Sequence, residues 1–344
     1  MGFTESRHGD MNLKISNRID SCESDEFLQF LRQMDVDCCY AWIKPGQDNY
    51  EFIARLKERA AKYGLELFNL GSEEYAKPLS VHRGLPDRDR YIDGFNRFMG
   101  ILGRAGVPTT TITWESRHAY ATSPGGSVIK TPEPPDRAVT RGGAPTRLYD
   151  DAAARADPLS AVITVTKDQI WDNFKYFADA AVPVAEECRV RICLHPNDPP
   201  VDYTLGVATL IQSAGDYRRA FEIAGSDYFG MEFCCGCWLE GGKSGFGDIV
   251  EGIKEFVEAG KVSIVHFRNV TSPLPRFEET FIDGGYQDMY ALMKAFVQSG
   301  YNGTMIYDHS PAMTAGLAAQ TAFAVGYMKA LRAAARAELY NGRS

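Results

Sequence analysis

The sequence lacks the features of a membrane or secreted protein. None of its apolar runs approaches the roughly 18 consecutive residues that a membrane helix needs, and the opening residues, MGFTESRHGDMN, have no signal-peptide core. It has no long run of like charge, and its formal net charge of -8 argues against nucleic-acid binding, for which a basic surface is typical. We therefore expect a cytoplasmic protein that binds neither nucleic acid nor a membrane.

Two common catalytic arrangements are also missing. The segment GGKSGFG has the wrong neighbours and spacing for a phosphate-binding loop, and no Ser–His–Asp arrangement is signalled. The eight cysteines include the adjacent pairs Cys38-Cys39 and Cys234-Cys235, which would be awkward to join in a disulfide framework. We expect free thiols, at least one of them a metal ligand.

Strand-like and helix-like segments alternate eight times along the chain. The strand candidates are short and rich in β-branched, aromatic or cysteine residues, as buried parallel strands are. They are Leu13–Ile19, Asp37–Ile43, Glu66–Leu70, Thr109–Trp114, Val190–Leu194, Tyr228–Phe233, Ser263–Phe267 and Thr304–Tyr307. The amphipathic stretches between them include Asn49–Tyr63, Arg88–Ala105, Lys167–Glu187, Gly247–Ala259 and Tyr286–Ser299. Eight such repeats predict an α/β fold, a (β/α)₈ TIM barrel that spans residues 1–344 as one domain.

One segment interrupts this alternation. Residues 115–161 are rich in Pro, Gly, Arg and Asp and leave from the end of the fourth strand, on the face where such barrels do their chemistry. Insertions of this length are usually lids, oligomer contacts or disordered. We expect a long loop that covers the active site.

Four successive strands in the second half of the chain end in a side chain that can bind metal. These residues are His195, Cys234, His266 and Asp308. Taken singly, each has a simpler explanation as a packing residue, a buried thiol or a helix cap. Together, at one mouth of the barrel, they predict a divalent-metal site. Cys235 and Cys237 are alternatives to Cys234, because alternation along the strand would point Cys234 and Cys235 to opposite faces.

The motifs HPNDPP, FCCGC, HFRNV and DH, in this order and spacing, resemble the D-mannonate dehydratase family. The match is good over roughly Val190–His309, and it extends more loosely to TTTITWES near the fourth strand. That family is similar to xylose isomerase-like barrels and removes water from a sugar acid.

The resemblance implies a role for six residues. It implies that His195, Cys234, His266 and Asp308 bind manganese, that His309 is a catalytic acid or base, and that Arg268 is catalytic and holds the substrate carboxylate. Mn²⁺ is the expected ion, with Fe²⁺, Mg²⁺ and Zn²⁺ as alternatives. A closed tetrahedron would suit zinc, whereas open positions for a hydroxy acid would suit manganese or iron.

The chain departs from the family pattern at three places. Asn197 replaces an aspartate of HPDDPP, Ser310-Pro311 replaces Gly-Arg after the DH pair, and an alanine lies near the place of a catalytic tyrosine. Tyr307, Tyr120 or a residue of the long loop could then protonate the leaving group. Tyr307 is the weaker candidate, because its side chain should point away from that of Asp308.

The remaining candidates concern the substrate and its reaction. We expect Trp114 to form an apolar wall for a sugar and His118 to contact it, while Glu115 is an additional acid/base candidate; His8 and His82 are expected at the surface. The predicted activity is dehydration of a sugar acid such as D-mannonate to a 2-keto-3-deoxy acid, by a homo-oligomer. The alternatives are a sugar isomerase or epimerase, a lyase on an oxidised glycoside, and a non-catalytic sugar-binding barrel.

Overall fold

The structure is a computed structural model that describes residues 12–115 and 138–341. Within those ranges, eight parallel strands close into a barrel, with helices on the outside. The prediction of a (β/α)₈ barrel is therefore confirmed.

The described strands are β1 Lys14–Asp20, β2 Cys38–Ile43, β3 Glu66–Ser72, β4 Thr109–Thr113, β5 Leu148–Asp150, β6 Arg191–His195, β7 Tyr203–Thr204, β8 Val207–Ala208, β9 Phe229–Cys234, β10 Val262–His266, β11 Arg276–Glu278 and β12 Thr304–Ile306. Eight of them form the barrel, in the order β1-β12-β10-β9-β6-β4-β3-β2, and these agree with the predicted strands to within two residues at each end. The short strands β5, β7, β8 and β11 were not predicted and form two small sheets outside the barrel. Strands β4, β6, β9, β10 and β12 are buried along their whole length, since one face points into the barrel and the other packs on helices.

The helices cover the outside of the barrel and include several that the sequence patterns did not mark. They are α1 Asp25–Gln33, α2 Tyr50–Lys62, α3 Leu79–His82, α4 Arg88–Ala105, α5 Asp151–Ala156, α6 Lys167–Cys188, α7 Ala214–Ala224, α8 Cys235–Gly245, α9 Ile249–Glu258, α10 Met289–Gln298 and α11 Leu317–Asn341. Helix α6 begins with a capping box in which Thr166 and Gln169 satisfy each other's backbone N–H groups.

The described part of the long segment after β4 folds back over the barrel mouth. Its strand β5 pairs antiparallel with β11, which belongs to the loop after β10. The Thr146 hydroxyl donates to the Glu279 carbonyl at 2.7 Å, and both residues are buried. These contacts bring Arg147 to the catalytic face. Residues 116–137 lie outside the described ranges.

Two expectations from composition can be compared with the structure. All eight cysteines lie in the described ranges, and each is a free thiol. None of the helices in those ranges combines the length and apolar character of a membrane span.

Candidate metal centre and catalytic cavity

The carboxyl ends of the barrel strands surround a cavity of about 590 Å³. Its wall includes His195, His266, Asp308 and His309, which leave from strands β6, β10 and β12. A second cavity of about 500 Å³ lies between the long segment and the loop after β6, and none of the predicted ligands lines it. The chemistry-bearing residues therefore gather at the barrel mouth, as the fold predicts.

The hydrogen bonds of His195 and His266 assign their tautomers. His195 Nδ1 donates to the Pro196 carbonyl at 2.6 Å, so its Nε2 carries a lone pair. His266 Nε2 donates to a Glu232 carboxylate oxygen, so a neutral His266 has its lone pair on Nδ1. Burial would lower the pKa of His266, but Asp308 and Glu232 raise it well above its ordinary value, so a metal on Nδ1 would replace a proton that these carboxylates favour. His195 Nε2 and His266 Nδ1 face each other at 3.2 Å. Each imidazole is thus fixed by a partner on its other nitrogen, as metal-binding histidines usually are.

When both imidazoles are neutral, their facing lone pairs repel unless a cation lies between them, so this arrangement fits a divalent metal. Nitrogens bound to one ion at about 2.0–2.1 Å, with tetrahedral or octahedral angles, lie roughly 2.9–3.4 Å apart. The observed separation of 3.2 Å falls in that range. Nitrogen and thiolate donors together suit a transition metal better than calcium, which prefers oxygen.

Cys234 supplies the third donor of this group. It is the register partner of His266 on the neighbouring strand, and its Sγ lies within 4.8 Å of ring nitrogens of both His195 and His266. Burial alone would raise the pKa of the Cys234 thiol. The hydrogen bond from Cys237, the charge of Arg268 and the two imidazoles instead lower that pKa well below its ordinary value. A thiolate, the form that binds metal, is therefore favoured.

The rival cysteines have other surroundings. Cys235 opens helix α8 and packs in the hydrophobic core, where burial raises the pKa of its thiol. Cys237 accepts a hydrogen bond from Arg268 at 3.5 Å. Of the three thiols, the structure brings only Cys234 beside the two imidazoles.

Asp308 lies next to this group rather than at its centre. Its Oδ2 is 3.3 Å from His266 Nδ1 and 3.1 Å from Arg268 Nε. The residue has a φ of 59°, a left-handed conformation that costs a non-glycine residue roughly 1 kcal/mol or more. Burial would raise the pKa of Asp308, but His266, His309 and Arg268 hold it well below its usual range. The strained turn therefore places an ionised carboxylate beside His266 Nδ1, where the two atoms could bind one cation.

Glu232 is a buried carboxylate that bonds His266 on the side away from Cys234, and we expect it to orient that ligand. The Glu232→Gln substitution keeps a hydrogen-bond acceptor but removes the charge that makes the imidazole a stronger ligand. Divalent-metal affinity, measured by isothermal titration calorimetry, should fall by about 10–100-fold.

The matched control is Glu115→Gln. Glu115 is also a buried carboxylate of the cavity wall, but it pairs with Lys77 at 2.5 Å instead of a histidine. In Glu115→Gln, metal affinity should stay within about threefold of the wild-type value. This change is smaller than the loss expected when a residue that orients a metal ligand is replaced. Equal losses in the two variants would show that Glu232 acts through cavity charge alone.

His309 faces a ring of charged side chains. Its Nε2 is 3.1 Å from Asp308 Oδ2 and 3.3 Å from an Arg147 guanidinium nitrogen, while its Nδ1 is 2.9 Å from Glu279 Oε2. Burial would lower the pKa of His309, but Asp308 and Glu279 raise it to about 9. In these surroundings the imidazole binds a proton strongly; a cation held by the neighbouring donors would act in the opposite direction.

Arg268 is buried, and its guanidinium forms hydrogen bonds with other residues of the chain. Its guanidinium donates to Asp308 at 3.1 Å, Glu240 at 2.6 Å and Asp198 at 2.9 Å, and the residue is only 2% exposed. A Cβ at position 236 would collide with this guanidinium, so the glycine of the FCCGC motif makes room for it. The expectation that Arg268 holds the substrate carboxylate is not supported by this geometry, because three carboxylates of the protein occupy its donors.

The structure also gives positions for the other predicted residues. Trp114 does not line the cavity: its ring packs on His82, Phe174 and Phe177, with centroids 4.5–5.4 Å apart. The expected sugar-facing wall is therefore not supported, since the indole is part of the core outside the barrel. His8, His118 and Tyr120 lie outside the described ranges.

Two more sequence expectations differ from the structure. His82 is buried rather than at the surface, and burial lowers its pKa to about 3. The Tyr307 hydroxyl bonds the Thr321 hydroxyl at 3.1 Å, so it points away from the cavity. Asn197, a departure from the family pattern, donates to the Trp114 carbonyl and accepts from the backbone of Leu210 and Ile211. That departure therefore affects loop structure rather than the metal donors.

The sequence patterns did not mark several cavity residues, among them Arg18, Tyr40, Arg147 and Glu232. Arg18 and Tyr40 lie in the middle of β1 and β2, where they read as ordinary strand residues, and Arg147 lies in the irregular long segment. Of these residues, Glu232 could have been recognised from the sequence. An acidic residue inside an otherwise apolar strand, two positions before a ligand, is unusual enough to indicate a function.

Comparisons with known proteins match this chain to mannonate dehydratases. The family model described as D-mannonate dehydratase (UxuA) matches residues 147–340, more than half of the chain. A mannonate dehydratase from Thermotoga maritima is 28% identical over 287 residues, which cover 76% of this chain and 77% of the relative. A mannonate dehydratase from Enterococcus faecalis is 28% identical over 284 residues, with the same two coverages.

Solved structures share the fold. A mannonate dehydratase from Streptococcus suis serotype 2 superposes with a TM-score of 0.77 at 20% identity, over 95% of each chain. An L-ribulose 3-epimerase superposes with a TM-score of 0.59 at 15% identity, over 96% of this chain and 98% of the other. At these identities the likeness establishes the barrel fold, which supports several reactions.

Proposed function

This chain belongs to the D-mannonate dehydratase (UxuA) family, and we propose that it is a metal-dependent lyase that removes water from a sugar acid such as D-mannonate. The observation that carries the proposal is the group of His195, Cys234 and His266, whose donor atoms face one another at the barrel mouth. We assign the metal to these three residues and Asp308, with Mn²⁺ as the ion.

Loss of water from a 2,3-dihydroxy acid needs a base for the proton on C2, stabilisation of the charge that spreads onto the carboxylate, and an acid for the departing 3-hydroxyl. A bound divalent ion would supply Lewis-acid stabilisation of that charge. His309 supplies the base in our proposal. The carboxylates that raise its pKa make it a stronger acceptor for a weakly acidic C–H proton, although a smaller fraction is then unprotonated at neutral pH.

We assign the substrate carboxylate to Arg18. Three cationic side chains from the described ranges line the cavity: Lys77 pairs with Glu115, and Arg147 contacts His309 and Glu279. Arg18 is exposed in the cavity, and it forms no ion pair with any residue of the described ranges. A guanidinium is suited to a carboxylate because it donates two parallel hydrogen bonds.

The Arg18→Met substitution should therefore raise KM for the sugar acid by about 10–100-fold, the equivalent of losing hydrogen bonds to a charged group. Metal content should not change, because Arg18 bonds none of the donors. Steady-state kinetics and elemental analysis of the same preparations measure the two quantities. Arg218→Met is the control, since Arg218 pairs with Glu255 on the outside of the barrel. An unchanged KM in Arg18→Met would exclude the assignment.

The proposed reaction is tested with a substrate panel. Manganese-loaded protein is incubated with stereoisomeric aldonic acids, and the 2-keto-3-deoxy product is detected by NMR spectroscopy. We expect product from at least one acid, its loss after chelation and its return with Mn²⁺. Conversion of aldoses or ketoses without dehydration of any acid would instead indicate an isomerase or epimerase, and turnover of an oxidised glycoside alone would indicate a different lyase.

A further inference from the structure

One phenol on the cavity wall has no hydrogen-bond partner among the residues that the structure describes. Tyr40 is the only tyrosine among the described residues that line the cavity. Its hydroxyl forms no hydrogen bond within residues 12–115 and 138–341, although the side chain is half-buried. A partly buried phenol normally finds a partner in its own protein. One that has none is available to a ligand.

Tyr40 shares the cavity with Arg18 and with the candidate metal centre, the two elements proposed to bind the substrate. Tyr40 is the register partner of Arg18 on the neighbouring strand, so the two side chains lie next to each other on the inner face of the barrel. Tyr40 also lines the same cavity as the candidate ligands His266 and Asp308. A sugar acid held by Arg18 and by the candidate metal centre therefore lies against the wall that includes Tyr40.

We propose that Tyr40 is the general acid that protonates the departing hydroxyl of the substrate, an inference that rests on the proposed dehydration. The other proton carriers of the cavity are less suited. Lys77 is held by Glu115 at 2.5 Å, and an arginine does not release its proton in proteins. His309 accepts the proton from C2 and so cannot donate one in the same step.

Every proton and electron pair in the proposed step is accounted for. The C2–H bond breaks, its proton goes to His309, and its electron pair forms the C2–C3 double bond. The C3–O bond breaks, and the leaving oxygen takes its electron pair and the Tyr40 proton to depart as water. The enol tautomerises to the 2-keto-3-deoxy acid, and the proton on His309 returns to Tyr40 through solvent. No oxidant or reductant is needed.

The state of the phenol agrees with this role. Burial raises the pKa of Tyr40, an effect that the neighbouring Arg18 only partly offsets. The hydroxyl therefore keeps its proton at neutral pH and can donate it as charge develops on the leaving oxygen.

The test compares two leaving groups. Fluoride departs without protonation, so a 3-deoxy-3-fluoro analogue of the accepted sugar acid does not depend on an acid. In Tyr40→Phe, kcat/KM for the 3-hydroxy substrate should fall by about 10² or more, within the range for a positioned acid. The same variant should lose less than about tenfold on the fluoro analogue, with wild-type metal content.

Tyr307→Phe is the matched control, because it removes a phenol that bonds Thr321 outside the cavity. It should retain wild-type rates on both substrates. Equal losses on both substrates in Tyr40→Phe would assign Tyr40 a structural role and overturn the inference, as would full activity on the 3-hydroxy acid. If the wild-type protein dehydrates no sugar acid, the proposed function fails first, and the inference fails with it.

Discussion

His195→Ala and Cys234→Ala variants should each purify without stoichiometric divalent metal and show no measurable dehydration. Each substitution removes one of three donors whose atoms lie within 4.8 Å of one another. In His195→Ala the lone pair on His266 Nδ1 also loses the nitrogen that faces it at 3.2 Å. Metal content measured by plasma mass spectrometry, together with product formation, checks the prediction.

Cys235→Ala is the control for Cys234→Ala. The two thiols are adjacent and both buried, but Cys235 packs in the hydrophobic core. Cys235→Ala should therefore keep its metal and its activity and lose only some stability through a small cavity. Metal retention in Cys234→Ala, or its loss in Cys235→Ala, would contradict the assignment of the thiolate ligand.

The Arg268→Met substitution should destabilise the protein by about 3–5 kcal/mol, because it leaves buried carboxylates without their cation. Arg268 bonds Glu240, Asp198 and Asp308, and neither Glu240 nor Asp198 is more than 9% exposed. Equilibrium unfolding in urea, followed by circular dichroism, measures the loss.

Arg141→Met gives the comparison for an exposed ion pair. Arg141 pairs with Asp283 at 2.8 Å, but its side chain is 57% exposed, so we expect a loss below about 1 kcal/mol. If Arg268→Met instead unfolds like the wild-type protein and only raises KM, Arg268 is a substrate anchor, as the family resemblance first implied.

The sequence was sufficient for the barrel and for the position of the candidate ligands. Parallel strands that are buried on both faces read as short apolar runs, and a ligand that follows such a run must lie at the barrel mouth. His195, Cys234 and His266 were found in this way because each occupies the last position of its strand. Local pattern and tertiary position agree at these residues.

The remainder of the site depends on contacts between distant segments. Arg268 follows a strand end like a ligand does, yet three carboxylates from separate loops and helices surround it. Arg18 and Tyr40 face the cavity because two strands pair in one register, which no local pattern reveals. The core position of Trp114 was not predicted, because the first residue after a strand can point to the core as well as to the cavity. The cytoplasmic location, the homo-oligomer and the lid role of residues 115–161 stay predictions.

The central claim is that side chains from four strand ends hold one cation. An anomalous difference map from crystals grown with MnCl₂, recorded at the manganese absorption edge, tests it directly. We predict one strong peak within bonding distance of His195 Nε2, His266 Nδ1, Cys234 Sγ and an Asp308 oxygen. A map with no peak there, or with the ion bound among Asp198, Glu279 and His309 instead, would contradict the account.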